Sequence, residues 1–292
     1  MKPNVRMIRL GRIALLSAAF LWGVSFVVMK NILTNVSTLY ILAIRFCGAA
    51  LILLPACIHK LKKLDRVYLR SGALMGGALL LGYVFQTYGL SLTTPGKNAF
   101  LTSAYCIIVP FLYWVFIKKK PDRYNVTAAV ICIAGIGFIS LDGGLSIGAG
   151  DVLTIICGFF YALHILVTAQ AVAERDPVAL AMIQFFIAGV IALICALIFE
   201  SPPSGVGAAD VLSLVFLTAV STAGCLLMQV FGQKYTPPSQ ASVIMTFEAV
   251  FGALSSVVLF GELLTVRLAI GFALTFAAVI VSETKLNFLK KL

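Results

Sequence analysis

The sequence predicts an all-α polytopic membrane protein, with ten transmembrane helices arranged as two inverted five-helix repeats. Three observations carry this. First, 61% of the 292 residues are hydrophobic and only 11% charged, with a mean hydropathy of +1.06, whereas soluble domains carry roughly 25% charged residues. Second, ten apolar runs of about 20 residues, each long enough to cross a hydrocarbon core of roughly 30 Å as a helix, use up the chain and leave no room for a soluble domain. Third, segments of the first half recur in the second.

The runs fall near residues 12–32, 38–58, 70–92, 98–117, 124–141, 150–172, 178–199, 210–232, 239–260 and 264–283. The first is basic and then apolar like a signal peptide, but it is too long and ends at Lys30 rather than at a small-residue cleavage site, so it reads as a retained span. The formal net charge of +11 would suggest nucleic acid in a soluble protein. Here it reads as topology instead, with no nucleic-acid partner expected. Eighteen of the 22 Lys and Arg residues, from Lys2 through Lys62, Lys63 and Lys118–Lys120 to Lys290 and Lys291, fall on the side of the termini. Lys30, Lys97 and Arg267 fall on the other side, and Arg45 lies within a span. By the positive-inside rule both termini are cytoplasmic. The Lys118–Lys120 run and the C-terminal KLNFLKKL read as anchors facing anionic lipid. All seven cysteines lie in apolar spans without metal-ligand spacing and read as small packing residues, so neither metal nor cofactor is expected.

The repeat is visible residue by residue. FLWGVSFVVM from Phe20 lies over FFYALHILVT from Phe159, and ILAIRFCGAALIL from Ile41 over LAMIQFFIAGVIAL from Leu180, which sets Arg45 opposite Gln184. TTPGKNAFL from Thr93 lies over YTPPSQASV from Tyr235, aligning Thr94-Pro95 with Thr236-Pro237. The division falls at residues 1–146 and 147–292. Five spans per copy is an odd number, so the second copy enters the membrane from the opposite side, and such a pair can exchange conformations around a site near the midplane.

FLWGVSF in the first span, AIRF in the second, Tyr105 and Pro110 in the fourth, and FEAVFGALSSVVLFGELLTVRLAIGFAL across the last two resemble the drug/metabolite transporter superfamily, specifically its EamA-type members. Glu248, Gly261 and Glu262 fall where that family's repeat has them. The resemblance spans essentially the full length and implies ten helices, an inverted five-plus-five arrangement and solute transport, usually export, across the inner membrane. One departure is Ala249, where the family's second copy often has proline, which predicts a straighter ninth span.

Polar side chains within spans should avoid lipid and face the bundle interior or a wet cavity. Trp22, Ser25 and Met29 share a face of the first span, and their repeat partners Tyr161, His164 and Thr168 share one in the sixth. Thr222, Gln229 and Gln233 line up in the eighth, Gln86 lies beside Tyr83 in the third, and Asn98, Thr102 and Tyr105 lie over Gln240, Ile244 and Phe247 of the ninth. These faces are expected to converge on one cavity, with Glu248, Trp22, Ser25, Gln86, Asn98, Tyr105, Tyr161, His164 and Gln229 as substrate-binding candidates. Glu248, midway along the ninth span, is either neutral, paired with Arg45, or a group that titrates during transport; the alternative is a helix-to-helix hydrogen bond. Arg45, roughly 10 Å from the outer end of its span, either contacts solute or, with Gln184, braces the repeat. His164 relays protons, binds an anion or simply bonds a neighbour; Trp22, Tyr105 and Tyr161 stack on a substrate or pack the bundle. Gly72–Gly76 allows close helix approach.

The expected function is secondary transport of a small organic metabolite, an amino acid or related compound, by alternating access. Export is favoured, with a proton link through Glu248 as an option, at the cytoplasmic (inner) membrane, where a monomer is sufficient. The alternative on the same fold is multidrug or lipid-precursor efflux. From another class, an intramembrane hydrolase would need two carboxylates sharing a site. GAGD at Gly148–Asp151 offers only Asp142 as a companion, and Ser25 with His164 lacks a third orienting group, so no catalytic residues are expected.

Overall fold

A computed structural model of the chain describes residues 5–60, 65–118, 120–140, 147–173 and 175–285. Every element in it is helical. The crossings are α1 (Val5–Ile32), α2 (Thr38–Cys57) and α3 (Arg66–Leu92), then a fourth broken into α4 (Pro95–Thr102) and α5 (Tyr105–Ile117). Next come α6 (Arg123–Ser140), α7 (Ala149–Ala171) and α8 (Pro177–Phe199). The eighth crossing joins α9 (Ala208–Val215) to α10 (Cys225–Tyr235) through a π-helical stretch, Phe216–Gly224. The ninth is α11 (Pro238–Ser255) with a π-helical tail, Ser256–Phe260, and the tenth is α12 (Val266–Thr284). Eight crossings are long and apolar enough to span a membrane, and α6 and α12 are shorter apolar helices. The protein is a multi-pass membrane protein, with ten helical crossings among the described residues.

Local chemistry sets the helix starts. Asp65, Thr94, Asp176 and Thr265 each accept a hydrogen bond from a backbone N–H of the first turn that follows, which satisfies a donor the helix itself leaves orphaned. Pro95 and Pro177 occupy the first helical position, where the missing N–H costs nothing. Thr94-Pro95 is therefore a cap followed by a starter, whereas in the second copy the helix begins one residue later, at Pro238. The Thr236 hydroxyl is left buried without a partner. α1 begins two turns before the predicted span because Arg6, Arg9 and Arg12, although charged, sit on exposed faces of the same helix. Its 28 residues extend about 42 Å, more than the hydrocarbon core requires.

Side-chain bonds sort the helix ends onto two faces. On the face where α1 starts and α12 ends, Lys60 bonds Asp176 at 2.9 Å, Lys234 reaches the Arg175 carbonyl, Arg12 bonds Gln240 and Lys285 pairs with Asp122. This is the terminal face. On the opposite, distal face, Glu200 accepts from the Leu39 and Tyr40 N–H groups at the start of α2, and Lys30 donates to three carbonyls at the end of α3. Lys2, Lys62, Lys63, Lys119, Asp142, Lys290, Lys291 and the rest of the C-terminal KLNFLKKL after Lys285 lie outside the described residues.

Packing interleaves the two halves of the chain. The most extensive contacts are α3 with α7, α6 with α12, α2 with α8 and α1 with α11 and α10. Two groups emerge: α1 with α10 and α11, and α7 with α3, α4 and α5. Each takes helices from both halves. Glycines permit the closest crossings: a Cβ on Gly232 would stand 2.8 Å from the Gly11 carbonyl in the first group, and one on Gly150 would stand 2.9 Å from the Gly89 carbonyl in the second.

Candidate functional site

Between these two groups lies a cavity of about 60 Å³, lined from α1, α2, α3, α5, α7, α10 and α11. Trp22, Ser25, Gln86, Tyr105, Tyr161, His164, Gln229 and Glu248 all line it, together with Arg45. It reaches Met29 and Leu90, within three residues of the distal ends of α1 and α3. There the Lys30 ammonium bonds the carbonyls of Leu90, Ser91 and Thr93 at 2.8, 3.0 and 2.8 Å.

Arg45 is 2% exposed. Its Nε donates to Thr222 Oγ1 at 2.8 Å, one terminal nitrogen donates to Ser221 Oγ at 3.3 Å, and its guanidinium lies 4.7 Å from the centre of the Tyr83 ring. Trp22 Nε1 donates to the Ser221 carbonyl at 2.9 Å. Both anchors belong to the π-helical stretch of the eighth crossing, whose wider turn leaves carbonyls and hydroxyls free to face neighbours, a common reason for such stretches at functional sites. Within it Thr222 also donates to the Leu217 carbonyl, five residues back.

Glu248, 6% exposed, stands on α11 with the Tyr105 hydroxyl beside its carboxyl. It does not pair with Arg45: among the described residues neither group has an ion-pair partner within 4.0 Å. Tyr83, Tyr161 and Cys225 lie within electrostatic reach of both, so the two charges occupy different walls of one cavity. Between them Tyr161 donates to Gln86 Oε1 at 2.8 Å and meets Tyr83 edge-on at 5.6 Å. His164 bonds Gln184 at 2.9 Å and Thr168 at 3.3 Å, so its ring is held by neighbours while one face lines the cavity. Gln184 itself stays outside, as that link's other half.

Several predicted residues sit elsewhere. Asn98 is fully buried outside the cavity, where its amide donates to the Gln86 carbonyl and to Thr154 Oγ1 and so ties α4 to α3 and α7. The expected overlay of Asn98, Thr102 and Tyr105 on Gln240, Ile244 and Phe247 also fails in space. The fourth crossing breaks at Ser103–Ala104 and turns Tyr105 inward, whereas α11 runs unbroken through Ala249. On α11 the cavity therefore receives Met245 and Glu248, and Ile244 and Phe247 face a groove on the outside of the bundle. Gln233 donates to the Ile165 carbonyl and Thr222 holds Arg45, which leaves Gln229 as the member of its stripe in the lining. Ser25 bonds the Trp22 carbonyl one turn back, His164 bonds Gln184, and Asp151 accepts from Thr93 and lies 3.5 Å from Lys97 on the distal face. These bonds do not bring Ser25 and His164 together, and Asp142, the expected companion of Asp151, lies outside the described residues. Tyr83, expected beside Gln86 on a cavity face, contacts Arg45, whereas Ser221, which also positions Arg45, was not among the candidates; the density of small hydroxyl residues in TAVSTAG was the available signal.

A ten-helix bundle enclosing a polar cavity defines the class, a helical membrane transporter. The chain belongs to the EamA-like transporter family, whose model matches it twice, over residues 9–141 and 148–284. An uncharacterized transporter of Archaeoglobus fulgidus is 31% identical over 265 residues, covering 90% of this chain and 83% of that one. The uncharacterized transporter YoaV of Bacillus subtilis is 22% identical, covering 89% and 91%. A protein of known crystal structure shares 16% identity and superposes with a TM-score of 0.72 over 96% of this chain, a likeness of fold.

Proposed function

We propose that this protein is a secondary transporter of a small zwitterionic metabolite, an amino acid or a close relative, working by alternating access. One observation carries the reading: a buried arginine, Arg45, and a buried glutamate, Glu248, line one cavity, and among the described residues neither has an ion-pair partner. A charge held this way is expensive unless something completes it. A solute carboxylate directed at Arg45 and an ammonium at Glu248 complete both, and Trp22, Phe26 and Met29 offer an apolar wall for the rest of the molecule. The moving bodies in this proposal are the two mixed groups, α1–α10–α11 and α3–α4–α5–α7, related by the inverted repeat and rocking about the cavity. We assign the terminal face to the cytoplasm of the inner membrane on the bias of basic residues, and export as the direction on the family resemblance. Glu248 exchanges the solute's ammonium for a proton on the return leg.

Counterflow into proteoliposomes, with and without an imposed pH gradient, tests this. A zwitterionic amino acid should be carried, its deaminated and decarboxylated analogues should compete at least tenfold less well, and Glu248→Gln should abolish the response to the gradient. Full gradient-dependent transport by Glu248→Gln, or equal competition by all three solutes, would contradict the proposal.

A further inference from the structure

The stripe Gln240, Ile244 and Phe247, which the cavity does not use, forms one wall of a second feature. A groove of about 470 Å³ runs on the outside of the bundle between α1 and α11, lined by Arg9, Arg12, Ile13, Leu16, Ile244 and Phe247 among others, with no acidic residue in the lining. Its polarity is graded. Arg9 and Arg12 lie in the early turns of α1 on the terminal face, and Arg12 is held across the groove by a 3.1 Å bond to Gln240 Oε1 in the first turn of α11. Leu16 lies one turn deeper on α1, and Phe247 lies two turns, about 10 Å, beyond Gln240 on α11. Cationic guanidinium groups thus stand at headgroup depth above apolar walls at acyl-chain depth, and all of these side chains except the half-buried Ile244 are exposed.

The fold by itself does not impose this charge. The same crossing in the other copy, α7 against α4, carries Asp151 where α1 carries Arg12, and that acid is matched by Lys97 within the protein. Only the terminal-face copy presents guanidinium groups without a carboxylate partner among the described residues. Arginine forks bind phosphate oxygens bidentately, and basic pockets between membrane helices suit anionic headgroups.

We propose that this groove is a binding site for one anionic phospholipid of the terminal-face leaflet, its phosphate on Arg9 and Arg12 and an acyl chain along Leu16, Ile244 and Phe247. Native mass spectrometry of the full-length protein in detergent, titrated with dioleoyl phosphatidylglycerol, dioleoyl phosphatidylcholine or glycerol 3-phosphate, tests it. Expected is one retained phosphatidylglycerol, an occupancy at least tenfold lower in the Arg9→Gln/Arg12→Gln double variant, and unchanged binding in Arg66→Gln/Arg70→Gln, which removes equal charge from the same face outside the groove. Equal loss in both double variants, equal retention of phosphatidylcholine, or displacement of the lipid by millimolar glycerol 3-phosphate would overturn the assignment. Thermal melting run alongside separates lost binding from lost folding.

Discussion

Arg45 and Asp176 illustrate two ways a buried or half-buried charge is managed. Among the described residues Arg45 pairs with no carboxylate, and it relies on hydroxyls of one π-helical stretch and on the face of Tyr83. The sequence made the arginine conspicuous, since a charge inside a span is rare, but its hydroxyl partners lie 176 and 177 positions away and follow no spacing rule. Glu248 was legible for the same reason; that it stands apart from Arg45 depends on how two helices rotate, which hydropathy does not encode. Asp176 lies outside the spans and serves both as the cap of α8 and as the partner of Lys60. Partial burial works to raise its pKa, but the Lys60 bond and the N–H groups of Ala179 and Val178 outweigh that and hold it below the usual 3.8. The stability it contributes is present above pH 3.8 and is lost as the pH falls through its lower folded value. Both side chains are about two-fifths exposed, so the pair is worth only about 0.2–1 kcal/mol. Asp176→Asn, which keeps a capping oxygen, should melt slightly lower than wild type at pH 7 and converge with it in detergent as the pH falls below the lowered folded value of Asp176.

Helix–helix crossings set the positions of the site residues. Gly72 and Gly76 bring α3 onto α8, where a Cβ on Gly76 would meet the Gln184 carbonyl at 2.8 Å, whereas one on Gly77 would meet nothing within 4 Å. Overpacking of that kind costs about 1–3 kcal/mol. Gly76→Val should therefore lower the melting temperature measurably and Gly77→Val should not; equal effects would show that the crossing is looser than described. Small-residue spacing made this crossing legible in the sequence. The break at Ser103–Ala104 was not legible, because the run from Asn98 to Ile117 is continuously apolar or small and contains no glycine, and its one proline, Pro110, falls within α5. That break is why Tyr105 faces the cavity and its repeat counterpart Phe247 faces outward.

At the scale of the molecule, the spans could be read from hydropathy and the repeat was expected from residue-by-residue matches, but the interleaving of the two halves could not be read, because similar packing faces do not say which copy they meet. In the proposed mechanism each rocking group is therefore built from both halves, and links between the groups would act as gates. On the distal face Glu262, at the end of the ninth crossing, accepts from Thr94 Oγ1 at 2.5 Å, from the Gly96 N–H at 3.0 Å and from Ser256, clasping α11's tail to the start of α4. Lys30 links α1 to α3 on the same face. Charged hydrogen bonds of this kind are worth roughly 1.5–3 kcal/mol each, enough to bias a two-state equilibrium more than tenfold.

The central claim, one cavity reached from each face in turn, is tested most directly by labelling Ser25→Cys, in a background with the seven native cysteines replaced, with a membrane-impermeant maleimide in right-side-out and inverted vesicles. The account predicts modification from both faces, with Glu262→Gln raising the distal rate severalfold at the expense of the terminal one. Labelling from one face only, whatever the solute or the state of the Glu262 clasp, would contradict it.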